Sequence, residues 1–344
     1  MKKLLLAVLL GVAGTALAGE PVLINGAGAT FPYPLYSKWF SEYNKLHPDE
    51  RFNYQSIGSG GGIRQIVSGT VDFGASDAPM TDEELAKKPD LVHIPTVLGA
   101  VVVTWNLPGV TALKLTPEAL AGIFLGQITK WNDPKIAQVN PGVALPDKAI
   151  AVVHRSDGSG TTAVFTDYLA KVSPQWKQKP GAGKSVRWPV GLGAKGNEGV
   201  TGMVKQMPGA IGYVELAYAD QNKLPMAELR NQAGRFVKPS VESTTAAAAD
   251  VQLPDDFRTS ITNAAGEGAY PIASFTYLLV PKNFQNPVKG QSLVKFLWWA
   301  THDGQKFATP LDYAPLPKPV VEKVERKLKT LTVQGKPVAL GSSK

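Results

Sequence analysis

The sequence predicts a two-domain α/β protein, and three observations carry that expectation. At 344 residues the chain is long enough to bury two separate cores. Its composition, 44% hydrophobic and 19% charged, is that of a globular protein. Three stretches repeat one local order: an extended apolar run, a small polar turn, then an amphipathic helix. Such alternation implies a mostly parallel sheet, whose ligands bind beyond the carboxyl ends of the strands.

The opening MKKLLLAVLLGVAGTALA reads as a secretory signal peptide over residues 1–18. Lys2 and Lys3 give its basic start and Leu4 to Leu10 its apolar segment. Ala16-Leu17-Ala18 form a small-residue site, with cleavage expected after Ala18. The apolar segment is too short to anchor a helix across a bilayer, and no later stretch is apolar enough to do so. A lipoprotein anchor needs a cysteine at the cleavage site, and the chain contains none. Without disulfides, stability must come from core burial, and a bacterial periplasm is the expected compartment. A monomer that is not membrane-embedded is expected.

The first repeat is PVLINGAGATFPYPLYSKWFSEYNKL. Val22 to Ile24 predict a strand and Gly26 to Gly28 a turn. The helix that follows, with prolines tolerated in its first turn, sets Leu35, Trp39, Tyr43 and Leu46 on one face. In the second repeat, Phe52 and Tyr54 alternate as a strand, GSGGG turns, and Ile63, Ile66 and Val67 carry a short helix ended by Gly69. VDFGASD is then a strand delivering Asp77 to its carboxyl end. In the third, Ala149 to Val153 form the strand, and Val164, Phe165, Tyr168, Leu169 and Val172 fall at helical spacing.

Two β-rich apolar runs, residues 97–106 and 271–281, suit buried strands that cross between domains. On that reading residues 19–96 and 272–344 make one discontinuous domain. Residues 97–271 form a second domain inserted into it, with a two-strand hinge between them. The tract 244–250 is an alanine-rich helix or loop. The C-terminal VVEKVERKLKTL predicts an amphipathic helix with Val320, Val321, Val324, Leu328 and Leu331 inward and its lysines solvated.

The three polar turns share a chemistry. A helix start exposes unpaired N–H groups at the positive end of its dipole, and three such ends rimmed by hydroxyls form a cradle for a small oxyanion. The candidate donors are Thr30, the Phe31 amide, Ser59, Ser159, Gly160 and Thr161. Singly, each also reads as a cap or as turn chemistry; only their co-occurrence points to an anion. Arg155 suits a bidentate contact to that anion or a salt bridge with Asp157, and one guanidinium can serve both. Asp77 in isolation reads as a turn or capping residue. At an anion site it repels its guest unless the guest brings a proton, as phosphate does near neutral pH and sulfate does not.

Other chemistries lack their residues. Ile57 and Asp157 stand where the G-x-S-x-G nucleophile elbow needs its first glycine, and no G-x-x-x-x-G-K-[ST] loop occurs. His47, His93, His154 and His302 show no metal-ligand spacing, so neither a metal nor a cofactor is expected. The net charge of +8 is scattered without a basic block interleaved by aromatics, so nucleic acid is not an expected partner. A secreted phosphatase using His154 as base is the enzymatic alternative, and a surface-interaction protein would rest on the basic surface alone.

Seven segments resemble the periplasmic phosphate-binding proteins that serve phosphate ABC importers. They are GAGATFPYPLYSKW, IGSGGGIRQI, VDFGASDAPM, LGQITKWNDPKI, HRSDGSGTTAVFTDYL, VRWPVGLGAKGNEGV and PGAIGYVELAY. The similarity covers essentially the whole chain after the leader. It implies a type II periplasmic-binding-protein fold, the Venus flytrap, whose two α/β domains close on one desolvated phosphate. It also implies ligand contacts at Thr30, Phe31 (through its backbone), Ser59, Asp77, Arg155, Ser159, Gly160 and Thr161, with Asp157 supporting the arginine. Inorganic phosphate would be the cargo, an inner-membrane ABC permease the transient partner, and no residue would be catalytic. His154 and Ser156 flank Arg155 where relatives can carry another arginine and an alanine.

Overall fold

The computed structural model describes residues 21–338 and residue 340, so the leader and its cleavage after Ala18 lie outside the described residues. The first elements are β1 (Val22–Gly28), α1 (Tyr33–Leu46), β2 (Glu50–Ser56), α2 (Ser59–Ser68), β3 (Phe73–Ser76), α3 (Asp82–Ala86) and β4 (Leu91–Trp105). Then come β5 (Ala151–Arg155), α4 (Gly160–Val172), β6 (Leu192–Ala194), α5 (Gly196–Gln206) and β7 (Ala210–Glu215). After α6 (Val241–Ala247) the chain returns as β8 (Ala273–Pro281) and ends with α7 (Pro287–Thr301) and α8 (Lys318–Leu328). Among the described residues no helix is long and apolar enough to cross a membrane.

Eight strands form one sheet in the order β2-β1-β3-β8-β4-β7-β5-β6. The outer trios, β2-β1-β3 and β7-β5-β6, are parallel. The centre is antiparallel, because β8 runs against both β3 and β4, and β4 runs against β7. This amends the mostly parallel expectation: each wing is built from strand–helix–strand units, while the strands between them cross and return.

β4 binds the wings together. Nine of its first ten residues pair with β8 and Val101–Trp105 pair with β7. Its sequence, LVHIPTVLGAVVVTW, is the near-continuous β-branched run of a strand buried on both faces. The chain re-enters beside it, where Val101 donates its N–H to the Ile272 carbonyl. Each wing has its own aromatic core. Phe40 and Tyr43 of α1 pack on Phe52 and Phe296 in the first, and Phe40 also on Phe73. In the second, Phe165 stacks on Tyr213 with ring centroids 4.2 Å apart, beside Phe124 and Trp188. Burial is worth about 1.5–3 kcal/mol for each large apolar side chain, and the buried apolar side chains of both wings join in one continuous cluster.

Several local expectations are corrected. Gly26 to Gly28 are not a turn but the second half of β1, between β2 and β3. A Cβ at Gly26 would overlap the Phe73 ring, so the glycine marks a close approach rather than a bend. GSGGG is likewise not a loop: Ser59 to Gly62 are the first turn of α2. A Cβ at Gly62 would press on the Ala27 carbonyl and Gly28 of β1, so the small residues let the helix lie on the strands. Leu46 ends α1 exposed, and Tyr36 and Phe40 join Leu35, Trp39 and Tyr43 inside. The third strand is Ala151–Arg155, two residues later than expected, which puts Arg155 itself on the sheet. Gly69 does end α2, in the left-handed conformation at φ 71°. At the C-terminus α8 buries Val320, Val324 and Leu328, while Leu331 is buried just beyond its end.

Candidate functional site

The carboxyl ends of β1, β3 and β5 meet at the seam between the wings. On the first wing, Thr30 lies between β1 and α1 without capping that helix, whose N-cap is Pro32. Its Oγ1 instead accepts two bonds from Asn197, from the backbone N–H at 3.2 Å and from Nδ2 at 2.7 Å. Its carbonyl accepts the Tyr218 hydroxyl at 2.5 Å. The Phe31 carbonyl is held by the Tyr313 hydroxyl at 2.6 Å, and the Phe31 N–H meets no acceptor among the described residues. Ser59 is fully buried at the start of α2 but is not its N-cap, a role taken by Gly58.

On the second wing the sequence SDGSGTT turns from β5 into α4. Ser159 is a true cap, accepting the Thr162 N–H at 2.9 Å. The N–H groups of Gly160 and Thr161, first in the helix, meet no acceptor among the described residues. Arg155 is 3% exposed and forms a fork with Asp157, Nε to Oδ1 at 2.7 Å and Nη2 to Oδ2 at 2.6 Å. Burial pushes the Asp157 carboxyl up, but the guanidinium and the Gly196 N–H outweigh it and hold it below the usual range. A third bond runs from Arg155 Nη1 to Thr161 Oγ1 at 3.4 Å. A guanidinium has five donors, so the salt bridge leaves some of them for another acceptor. His154, the base of the phosphatase alternative, stacks on Trp188 at 4.7 Å and pairs Nδ1 with the Arg155 carbonyl.

The wings touch at these residues. Gly60 N–H donates to the Gly158 carbonyl at 2.8 Å. Asn197 joins Thr30 to Thr161, whose Oγ1 accepts its Nδ2 at 3.0 Å. A Cβ at Gly160 would overlap Asp77 Oδ2 and Ser59 Oγ. All eight sequence-predicted contact residues therefore lie along one seam, at which Asp77 is 1% exposed.

Asp77 follows the last residue of β3. Its Oδ1 accepts the Thr276 hydroxyl at 2.8 Å, and its Oδ2 accepts Ser59 Oγ at 3.3 Å. Burial raises its pKa to about 7, against the opposing pull of Thr276, the Arg155 charge and Ser59. Glu215, the last residue of β7, is fully buried nearby and pushed well up by desolvation.

Hydrogen-bond polarity gives the seam its chemical character. The Thr30, Ser159 and Thr161 oxygens already accept N–H bonds from Asn197, Thr162, Asn197 and Arg155. Each hydroxyl hydrogen is thereby left to donate. Three helix-start or loop amides and a guanidinium add further donors, and Asp77 stands among them as an acceptor. The seam suits a small guest rich in acceptor oxygens that carries one proton. Asn197, Thr276, Tyr218 and Tyr313 escaped the sequence reading. Asn197 lies within GAKGNEGV and was open to notice as a polar residue at a glycine-rich helix start; no local signal marks Thr276.

Comparison with known proteins agrees with the fold. The PBP superfamily domain matches residues 15–303. A solved high-affinity periplasmic phosphate-binding protein, bound with phosphate, superposes with a TM-score of 0.71 at 24% identity, over 89% of this chain and 93% of that one. The phosphate-binding protein PstS of Methanocaldococcus jannaschii is 41% identical, over 83% of this chain and 80% of its own. That of Pasteurella multocida is 50% identical over 319 residues, 92% of either chain. At that identity and coverage the chain belongs to the family of the phosphate-binding proteins PstS, within the PBP superfamily.

Proposed function

We propose that this protein captures inorganic phosphate in the seam and delivers it in the periplasm to an inner-membrane ABC importer. The observation that carries this reading is the donor-rich cradle with the buried Asp77 carboxylate among its donors. Phosphate near neutral pH keeps a hydroxyl that Asp77 accepts, while its other oxygens take the amides, hydroxyls and guanidinium. Thr30, Phe31, Ser59 and Asp77 come from the discontinuous lobe, residues 19–96 and 272–344. Arg155, Ser159, Gly160 and Thr161 come from the inserted lobe, residues 97–271. Contact with both lobes makes the ligand favour the closed state by its differential affinity. The relatives' names and the leader-like N-terminus support the periplasmic and transport assignments.

Calorimetric titration of ligand-stripped protein is the test. Phosphate should bind saturably at one site and sulfate far more weakly, because a site built around one hydroxyl rejects an analogue lacking it by about 10⁴–10⁵. Equal affinities would refute the role given to Asp77. Turnover of a chromogenic phosphate ester, lost on His154→Ala, would instead favour the phosphatase.

A second expectation concerns release. Lys184 from the inserted lobe pairs with Glu84 of α3 at 2.8 Å, and both are partly buried. Glu84 also accepts the Thr81 N–H in the α3 capping box, so its position does not depend on the lysine. Lys184→Ala should leave the fold intact and speed phosphate release about 2–5-fold, as expected for the loss of about 0.5–1 kcal/mol. Stopped-flow competition measures that rate, and an unchanged rate would remove the pair from the closing interface.

A further inference from the structure

Thr276 is the least expected neighbour of the site. It is fully buried on β8, 199 positions from Asp77, and it donates to Asp77 Oδ1 at 2.8 Å. Its placement depends on an irregularity in the sheet. The β4–β8 ladder shifts register between Thr276 and Tyr277: Thr276 pairs with Val97 and Tyr277 with Pro95, leaving Thr96 as the extra residue. Bulges of this kind bend a strand and re-aim a side chain. Thr96 secures the bulge, donating its hydroxyl to the Thr276 carbonyl at 3.2 Å while pairing with Tyr36 at 2.7 Å. Ser274 adds a bond to the Asp77 carbonyl at 3.2 Å, so the start of β8 grips the aspartate twice.

The two carboxylate oxygens thereby acquire different tasks. Oδ1 is turned towards β8 and occupied. Oδ2 lies beside Ser59 and is the oxygen that a Cβ on Gly160 would overlap, so it faces the N-terminus of α4. We infer that Thr276 is a positioning residue for anion selection: by occupying Asp77 Oδ1 it keeps the carboxylate ionised and presents Oδ2 alone as acceptor for the guest's hydroxyl. This rests on the phosphate reading above.

The tyrosines facing Asp77 keep their neutral state near pH 7. Arg155 is locked to Asp157. Burial pushes the Tyr36, Tyr54 and Tyr313 hydroxyls up, so they stay neutral, and Glu215 is pushed up with them. Burial raises the Asp77 pKa to about 7, and the Thr276 bond opposes its protonation. Removing that donor raises the Asp77 pKa further and turns Oδ2 from acceptor to O–H donor at a higher pH.

The experiment compares phosphate and sulfate affinities of the wild type, Thr276→Val, Thr276→Ala and Thr276→Ser between about pH 5.5 and about pH 9, on both sides of neutrality. In the Val variant phosphate should weaken within about 10-fold. Sulfate should strengthen, and the pH at which selectivity falls should rise by about one unit. Thr276→Ser should restore the wild-type profile, because its hydroxyl can make the same bond. The Ala variant carries the same expectation as Val if Val does not fold. A uniform loss of both anions with the midpoint unmoved would overturn the inference, since that is what a packing role predicts. Wild-type protein that fails to prefer phosphate would overturn the functional reading itself; a selective wild type with unshifted variants would overturn only the role of Thr276.

Discussion

Gly160→Ala should lose phosphate affinity by about 10²-fold while the ligand-free protein melts at or above the wild-type temperature. The residue opens α4, and its backbone lies in a region open to any amino acid, with no positive φ. Alanine is the better helix former, so nothing within its own lobe resists the change. The closest resistance comes from across the seam. The new Cβ would overlap Asp77 Oδ2 and Ser59 Oγ and stand 2.8 Å from Asp77 Cβ. Those atoms belong to residues already fixed by Thr276 and by each other. Overpacking of this kind costs about 1–3 kcal/mol, and here the closed state alone bears it. It would also displace the Gly160 and Thr161 amides from the guest. Calorimetry gives the affinity, and small-angle scattering with and without phosphate reports closure. Wild-type affinity and full compaction in this variant would show that the lobes do not approach at Asp77 when the ligand binds.

Much of this site was legible because its parts are local. Arg155, Asp157, Ser159, Gly160 and Thr161 fall within seven positions, so one strand–turn–helix reading yields them together. Asp77 was legible as the residue after a short buried strand. What escaped was long-range. Asn197 reaches Thr30 across 167 positions and Thr276 reaches Asp77 across 199. Both are ordinary polar residues until the sheet order and the Thr96 bulge bring them in. Glycine was the main source of local error. In β1 and α2 it permits a ring or a strand to come close, whereas turn chemistry leaves the same letter in the sequence. The return of the chain was legible in the apolar run 271–281, but its antiparallel pairing at the centre of the sheet was not. The segment between α6 and β8 was equally silent. Its Arg258 reaches Asp82 at 2.6 Å, and its Ser260 reaches Asp167 at 2.6 Å, so an irregular stretch ties both wings.

Asp77→Asn should collapse the choice between phosphate and sulfate, by roughly 10³-fold or more on the scale expected for a site built around one hydroxyl. Phosphate itself should weaken less, within about 10-fold. The reason is directional. The wild-type Oδ2 offers lone pairs to the guest's proton, and against sulfate it sets acceptor against acceptor, costing at least about 1–3 kcal/mol and more for a charged group. In the variant the Thr276 hydroxyl still needs an acceptor and holds the amide oxygen, which turns Nδ2 towards the guest. An N–H there donates to sulfate and to an unprotonated phosphate oxygen alike. The same argument fixes the sign of the pH dependence. Burial raises the wild-type carboxyl to about pKa 7, so as pH falls through that value Asp77 gains a proton and becomes a donor. Wild-type sulfate affinity should therefore rise as pH is lowered towards about 7, by up to about tenfold per unit, and level off below it. The asparagine variant has no proton to gain and should give a flat sulfate profile. Competition binding of labelled sulfate across that range measures both. Selectivity unchanged by the substitution, or a wild-type sulfate affinity indifferent to pH, would mean that the discrimination arises elsewhere than at this carboxylate.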